Sequence, residues 1–432
     1  MTQGAIMRGP TGVTIRLKLS VEDEELLVQC WSPSGLEYSK PINQTSYQRR
    51  ALRLRLRRNL GDFRTKVGQG AGEDHWAAVT DAVRFLHNKG KEMAFELFGK
   101  DLPLLHRIFA EHCSRGLRSS MPPVVQIEGS FGSTLPIELI PLLDLRPPEE
   151  IASGDDLLLA LGSFPSFAAA VVHTIRPEVV GSSERRRLSN DPNLPMKLFI
   201  HAGMDGVRQE ADRLQQLHAA GHLDIDGPWP QQLMGEKLLA QRLATCLLDP
   251  EVGFLGNPRC RPDQLYHFAC DYDGHAQDDA RHYFVFSHSG GKPQHLTLGA
   301  LRGALAEASC QPALDCGSLE SAPIVVLNLC DSAVLENNAV VPLPQLFVDR
   351  CHCRGVIGTE ARVPDTVASA FAREFYGSLL QGASIGASIR NARWAIAHGL
   401  GNPLGILYTA YVDPDICVTD PIPAKAFADP NA

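Results

Sequence analysis

The run Ile324-Val325-Val326-Leu327 sets four apolar residues in succession with no polar alternation. That pattern predicts a strand buried on both faces, as in the sheet of an open α/β fold. Asn328-Leu329-Cys330-Asp331-Ser332 follows directly. Cys330 therefore stands at the carboxyl edge of the strand, where such sheets carry reactive and ligand-binding groups, beside the polar pair Asp331-Ser332. It is a candidate nucleophile; the plainer alternative is a small buried hydrophobe.

A second run of the same kind, Leu265-Tyr266-His267-Phe268-Ala269-Cys270, leads into the polar loop Asp271-Tyr272-Asp273-Gly274-His275. Two parallel strands ending side by side would bring that loop next to Cys330. His267 lies inside the strand and reads as a packed or hydrogen-bonded core histidine. His282 and His288 flank the apolar run Tyr283-Phe284-Val285-Phe286 and read as strand-end or loop residues.

The rest of the chain supports an α/β reading. Thr14 to Leu19 alternates apolar and charged residues, and Leu26 to Trp31 reads as its hairpin partner across the acidic connection Ser20 to Glu24. Tyr47 to Leu60 mixes six arginines with leucines, which predicts a basic amphipathic helix: either a solvated face or a dock for an acidic partner. Helical spacing runs from Trp76 to Phe98, with Gly99 as its stop.

Pro122 to Ile140 predicts a short strand, a Gly-Ser-Phe-Gly loop and the segment Leu135-Pro136-Ile137-Glu138-Leu139. Leu157 to Phe164 and Leu194 to His201 read as strands, with a polar, basic loop from Gly181 to Asn193 between them that suits processing or contact. Gly206 to Ala220 has Glu210, Leu214 and Leu217 in helical register. Strands alternating with helices of this length imply parallel β-α-β units.

Taken together, these blocks resemble the CHAT family of caspase- and separase-like cysteine peptidases, over roughly residues 95 to 418. The motifs that carry the likeness are His267-Phe268-Ala269-Cys270, Val325 to Ser332, and Gly355-Val356-Ile357-Gly358-Thr359-Glu360-Ala361-Arg362-Val363-Pro364-Asp365. Phe375-Tyr376, the block Gly382 to Arg393 and Asn402-Pro403-Leu404-Gly405-Ile406-Leu407-Tyr408 follow in the same order. The resemblance implies that Cys330 attacks a peptide carbonyl while backbone amides near Cys330 and Gly274 hold the oxyanion.

This chain departs from the family at one decisive place. Where the family has a His-Gly pair, with the His as general base, Asp271 and Tyr272 stand. A carboxylate with an ordinary pKa near 4 is a weak base for a thiol near 8.5, and its charge disfavours the thiolate. His275, four residues on, is the nearest imidazole in sequence that would restore a dyad; its plain reading is a solvated loop residue. By analogy with the family, Glu360 and Asp365 would line a substrate pocket that favours a basic P1 residue, with the adjacent Arg362 opposing that preference. Pro364-Asp365 equally suits a helix start, where the macrodipole favours a carboxylate.

Composition narrows the function further. The 432 residues carry a net charge of −8, which gives no general affinity for nucleic acid or anionic membrane. No apolar stretch approaches the ~18 to 20 residues of a membrane span, and the first residues lack a signal-peptide core. Eleven scattered cysteines read as reduced thiols in a cytoplasm. Cys351-His352-Cys353 cannot wrap one tetrahedral ion and reads as the end of a helix or the start of a strand, so neither a metal nor a cofactor is expected.

The expected architecture is a caspase-like α/β fold, a central mostly parallel sheet with helices on both faces. Its expected divisions are an accessory α+β module over 1–94, the two halves of the CHAT-like region over 95–230 and 231–420, and a tail over 421–432. The expected function is a cysteine endopeptidase with a protein substrate. The resemblance adds control by a partner, and a place in bacterial defence or cell death. No internal repeat of ~34 residues is present, so a tetratricopeptide partner would be a separate chain. The alternative is a catalytically silent relative that binds or regulates another protein.

Overall fold

In a computed structural model of the chain the described residues are 13–22, 25–42, 46–68, 74–114, 122–129, 137–174, 187–273, 282–288, 291–309, 322–329, 332 and 342–422. The alternation near the amino terminus makes strand β1 (Val13–Glu22), with Ile15, Leu17 and Leu19 buried. It pairs antiparallel with β2 (Glu25–Ser32), Leu17 opposite Cys30, forming the expected hairpin. A third strand, β3 (Gly35–Ile42), buries only Tyr38 and Ile42 and has no apolar alternation to announce it. It is the sheet edge, where Lys40 and Pro41 disfavour pairing with another chain.

Two long helices follow, α1 (Ser46–Gly68) and α2 (His75–Phe98), the second ending at Gly99 with a positive φ of 50°. After α3 (Leu102–Cys113), β4 (Val124–Gly129) pairs parallel with β1, and β5 (Ala170–Thr174) with β4. One sheet of order β3-β2-β1-β4-β5 thus joins residues on either side of position 94.

The segment Leu157 to Phe164, expected as a strand, is helical. Helix α4 (Gly154–Leu161) is capped by Ser153, whose hydroxyl accepts from the Asp156 amide, with Asp155 and Asp156 in the first turn. A short turn, α5 (Pro165–Ala168), follows. Five apolar residues in a row, Leu157 to Leu161, do not separate strand from helix, and the capping signal upstream decides it.

Past β6 (Arg187–Leu188) comes the central sheet. Its strands are β7 (Leu194–Ile200), β8 (Leu223–Trp229), β9 (Leu265–Ala269), β13 (Ile324–Leu327), β14 (Gly355–Thr359) and β15 (Tyr408–Tyr411). The order is β15-β14-β13-β9-β7-β8, all parallel except the edge strand β15. Between β9 and β13 lie β10 (Asp271–Asp273), β11 (Tyr283–Phe286) and β12 (Gln294–Thr297), a small antiparallel sheet. The closing strand β16 (Cys417–Val418) pairs with β6.

Alternate side chains of each central strand enter opposite layers. On one face Leu265, Ile324 and Val326 pack with α6 (Asp205–Ala219), α10 (Asp365–Leu380) and α11 (Ile385–Leu400). On the other, Tyr266, Phe268 and Val325 pack with α7 (Glu236–Leu248) and α8 (Leu298–Ser309). Between β13 and β14 a short helix, α9 (Leu343–Gln345), leads through a wider turn to Cys351 and Cys353, both buried just before β14. The α/β class and the two covering layers of helices agree with the sequence reading, and every strand of the apolar type is buried on both faces.

Candidate active site

Strands β9 and β13 lie side by side and run the same way, with Leu327 opposite Phe268. The Asn328 amide donates to the Phe268 carbonyl at 2.9 Å, so both strands deliver their continuations to one edge. Cys330, Asp331, Gly274 and His275 lie outside the described residues. What surrounds Cys330 in the chain is tightly held. The buried Ser332 hydroxyl lies 3.0 Å from the Leu327 carbonyl and 3.1 Å from that of Leu329, and it accepts from the Thr359 amide at the end of β14. The Thr359 hydroxyl in turn donates to the Leu329 carbonyl.

Asn328, two residues before Cys330, anchors the other side. Its side-chain amide donates to both Glu210 carboxylate oxygens at 2.8 Å and lies 3.0 Å from the Ala368 carbonyl, while its own carbonyl accepts from Tyr408. The same Glu210 carboxylate bonds His267 Nε2 at 2.5 Å, and His267 Nδ1 bonds the Tyr376 hydroxyl at 2.7 Å. His267 is thus a fully buried, hydrogen-bonded core histidine. This network ties α6, β9, α10 and β15 to the end of β13, and it is satisfied at every named group, as buried polar groups must be.

The polar continuation of β9 is itself a strand rather than a loop at its start. Asp271 pairs with Val285 of β11, which fixes its backbone, and its carboxylate accepts from the Tyr272 amide at 2.9 Å. His282 is buried with its ring 3.3 Å from the Tyr272 hydroxyl, and His288 lies just past β11.

The structure adds an imidazole that sequence reasoning treated only as a strand end. The His201 amide, at the carboxyl end of β7, donates to the Ala269 carbonyl of β9 at 2.8 Å, which puts His201 two strands from β13. Its ring Nδ1 shares a 2.7 Å hydrogen bond with the Ser287 hydroxyl, which also accepts from the Gly203 amide. Burial pulls the His201 pKa down; the Asp271 and Asp365 carboxylates oppose that and His295 adds to it. The net effect favours the neutral ring, which is the form that can accept a proton. Only the strand order reveals this placement, because 70 residues separate His201 from Asp271 in the chain.

Asp365 occupies the first turn of α10, as the helix-start reading expects. Its Cβ lies so near Gly206 that a methyl there would approach it to 2.2 Å, so the amino ends of α6 and α10 meet at this edge. His201, Asp271 and Asp365 thus share one region of the sheet edge.

Glu360 is placed differently. It follows β14 but is buried; its amide donates to the Leu407 carbonyl and its carboxyl accepts from Tyr411 at 3.3 Å. Burial pushes its pKa up to about 8, the neighbouring Glu138 carboxylate adds to the rise, and hydrogen bonds from Tyr411 and Thr409 with the charge of Arg57 temper it. Glu138 goes the other way. Burial raises it, but His173, bonded at 2.8 Å, and Arg393 outweigh that and hold it below the usual carboxylate range. Sequence reasoning missed this pair; the signal was a lone carboxylate inside the apolar segment Ile137-Glu138-Leu139.

Among the described residues no group of His, Cys, Asp or Glu could hold a metal ion, and no helix is long and apolar enough to cross a membrane. Burial pushes the Cys351 and Cys353 thiols well up, which makes them inert core residues.

The model of the CHAT domain matches residues 138–407. A probable protease of Vitiosangium sp. is 38% identical over 90 residues, which amount to 21% of this chain and 12% of that protein. Two crystal structures of the Saccharomyces cerevisiae separase–securin complex align at 10% identity. One gives a TM-score of 0.46 over 95% of this chain and 31% of theirs, the other 0.41 over 93% and 30%. The chain therefore spans about a third of that separase and matches an eighth of the bacterial protease.

Proposed function

The chain belongs to the CHAT domain family, and from that premise we propose that it is a cysteine endopeptidase with Cys330 as nucleophile. The observation that carries the proposal is the parallel pairing of β9 and β13, with the chain neighbours of Cys330, Asn328 and Ser332, held by hydrogen bonds. Hydrogen bonds of that kind on both sides of one short stretch of chain suit a group that must meet a substrate in a set geometry.

In this reading the Cys330 thiolate attacks the scissile carbonyl, and the thioester forms as the amine leaves with a proton. Backbone amides beside Cys330 and Gly274 receive the oxyanion. The imidazole that takes and returns the proton is His275, which follows β10 by two residues in sequence. His201 is the described alternative: β9, which leads into Asp271, separates it from β13, so it stands two strand spacings, roughly 10 Å, from that strand and would act through a bridging group. Asp271 and Asp365 give the edge a negative character that suits a basic P1 side chain. The substrate is a protein, and a partner would control the activity in the cytoplasm.

A second reading rests on Asp271 itself. A carboxylate where the family has its general base suits a silent relative that keeps the fold to bind another protein. Cleavage of a peptide library varied at P1 separates the two readings. The peptidase cleaves after Arg or Lys, and Cys330→Ala abolishes it while Cys353→Ala does not. Equal cleavage by both variants, or none by the native chain, contradicts the proposal.

A further inference from the structure

Glu360, which the family resemblance assigned to a substrate pocket, is buried next to the residue that holds the chain around Cys330. That residue is Thr359, at the end of β14. Its amide donates to the Ser332 hydroxyl at 3.0 Å and its own hydroxyl donates to the Leu329 carbonyl. Leu329 and Ser332 bracket Cys330 in the chain. One residue thus fixes the backbone before the proposed nucleophile and the side chain after it, and whatever holds Thr359 bears on both.

Glu360 holds Thr359 from the other side. Its amide donates to the Leu407 carbonyl at 2.8 Å and its carboxyl accepts from the Tyr411 hydroxyl at 3.3 Å, which ties the residue to β15 and to the turn before it. The carboxyl belongs to a buried cluster of ionisable groups. Glu138, from the turn Ile137–Leu139, pairs with His173 of β5 at 2.8 Å and accepts from the Thr409 hydroxyl of β15 at 3.1 Å. The His173 ring lies against that of Tyr411, their centroids 5.0 Å apart. Arg393 of α11 faces Glu138, Arg57 of α1 faces Glu360, and Arg53 of α1 faces Tyr411. Against its burial, His173 and Arg393 keep Glu138 charged. Burial and that neighbouring charge keep a proton on Glu360, which leaves only as pH rises through about 8.

We propose that Glu360 is a positioning residue for the reaction at Cys330: as a neutral carboxyl bonded to Tyr411 it holds Thr359, and through Thr359 the chain on either side of the nucleophile, whereas as a carboxylate it loosens that hold. The inference rests on Cys330 being the nucleophile. An ionised Glu360 stands in a buried site beside the charged Glu138, and the repulsion is relieved by moving the two apart or by admitting water. Glu360 is joined to Thr359 by one peptide bond, so its displacement reaches the Leu329 and Ser332 hydrogen bonds directly.

The test compares the pH profiles of peptide cleavage and of Cys330 alkylation in the full chain between about pH 6 and 9.5, the alkylation being read with the other thiols replaced. In the native chain kcat/KM should fall about tenfold per pH unit above about 8. Glu360→Ala should lower it roughly tenfold or more at pH 7, and Glu360→Gln, which keeps the shape and hydrogen bonding of the neutral carboxyl, should restore it and abolish the alkaline fall. Thr359→Val should lower it by a similar factor, and the pair Glu360→Ala/Thr359→Val by no more than the larger single loss, because one acts through the other. Glu92→Gln, an exposed carboxylate on α2, should leave the native profile unchanged. Alkylation carries the same test without turnover. A second inflection near pH 8, removed by Glu360→Gln, supports the positioning role in a chain that cleaves no peptide, so failure of this inference and failure of the peptidase reading are separate results. Native and Glu360→Gln profiles that superimpose overturn the proposal. So does Glu360→Gln as impaired at pH 7 as Glu360→Ala, or a double variant whose loss is the product of the two single losses.

Discussion

At the scale of single residues, Glu360 makes a testable link between burial and pH. Its folded pKa of about 8 stands above the ordinary carboxylate value, so the folded chain holds a proton there that the unfolded chain releases. The stability this contributes is complete below about pH 4.5 and is lost as pH rises through about 8. Glu360→Gln should flatten denaturant stability over that window and raise it at pH 8 by on the order of a few kcal/mol. Unchanged pH dependence in the variant would contradict the assignment. Asn328 is a second case: Asn328→Ala leaves the Glu210 carboxylate and the Tyr408 hydroxyl short of partners and should cost about 1–3 kcal/mol in urea unfolding. The sequence makes Cys330 stand out because its strand is uniformly apolar. It hides His201, Glu138 and the Glu210 network, whose meaning depends on strand order and on contacts far apart in the chain.

At the scale of elements, periodicity served well where one face is buried and failed where local caps or edges decide. Helices α2 and α6 follow from their apolar spacing, α1 from its mix of arginines and leucines, the start of α10 from Pro364-Asp365, and β9 and β13 from their unbroken apolar runs. Strand β3 carries almost no burial signal, because an edge strand packs little. Helix α4 was hidden behind an apolar run whose capping residues lie upstream. Ser153→Ala should therefore cost about 1 kcal/mol, read by thermal or urea unfolding; an unaffected protein would show that packing alone holds α4. Gly206→Ala probes the meeting of α6 and α10: the added methyl runs into Asp365 at 2.2 Å and should destabilise by about 1–3 kcal/mol.

At the scale of the whole molecule, the class of fold was legible from alternating strands and helices, whereas the joining of the amino-terminal hairpin to later strands was not. Strand pairing between β1 and β4 spans about a hundred residues, and no local pattern encodes it. The central claim concerns the other sheet: the proposed nucleophile Cys330, three residues past β13 in the chain, would be activated by an imidazole. The rate of Cys330 alkylation against pH measures this directly, with the other thiols replaced. The account predicts an apparent thiol pKa well below the ordinary ~8.5, returned to that value by His275→Ala, or by His201→Ala if that ring is the one engaged. A native thiol that titrates at or above the ordinary value, unmoved by either substitution, would contradict the peptidase and leave the silent relative standing.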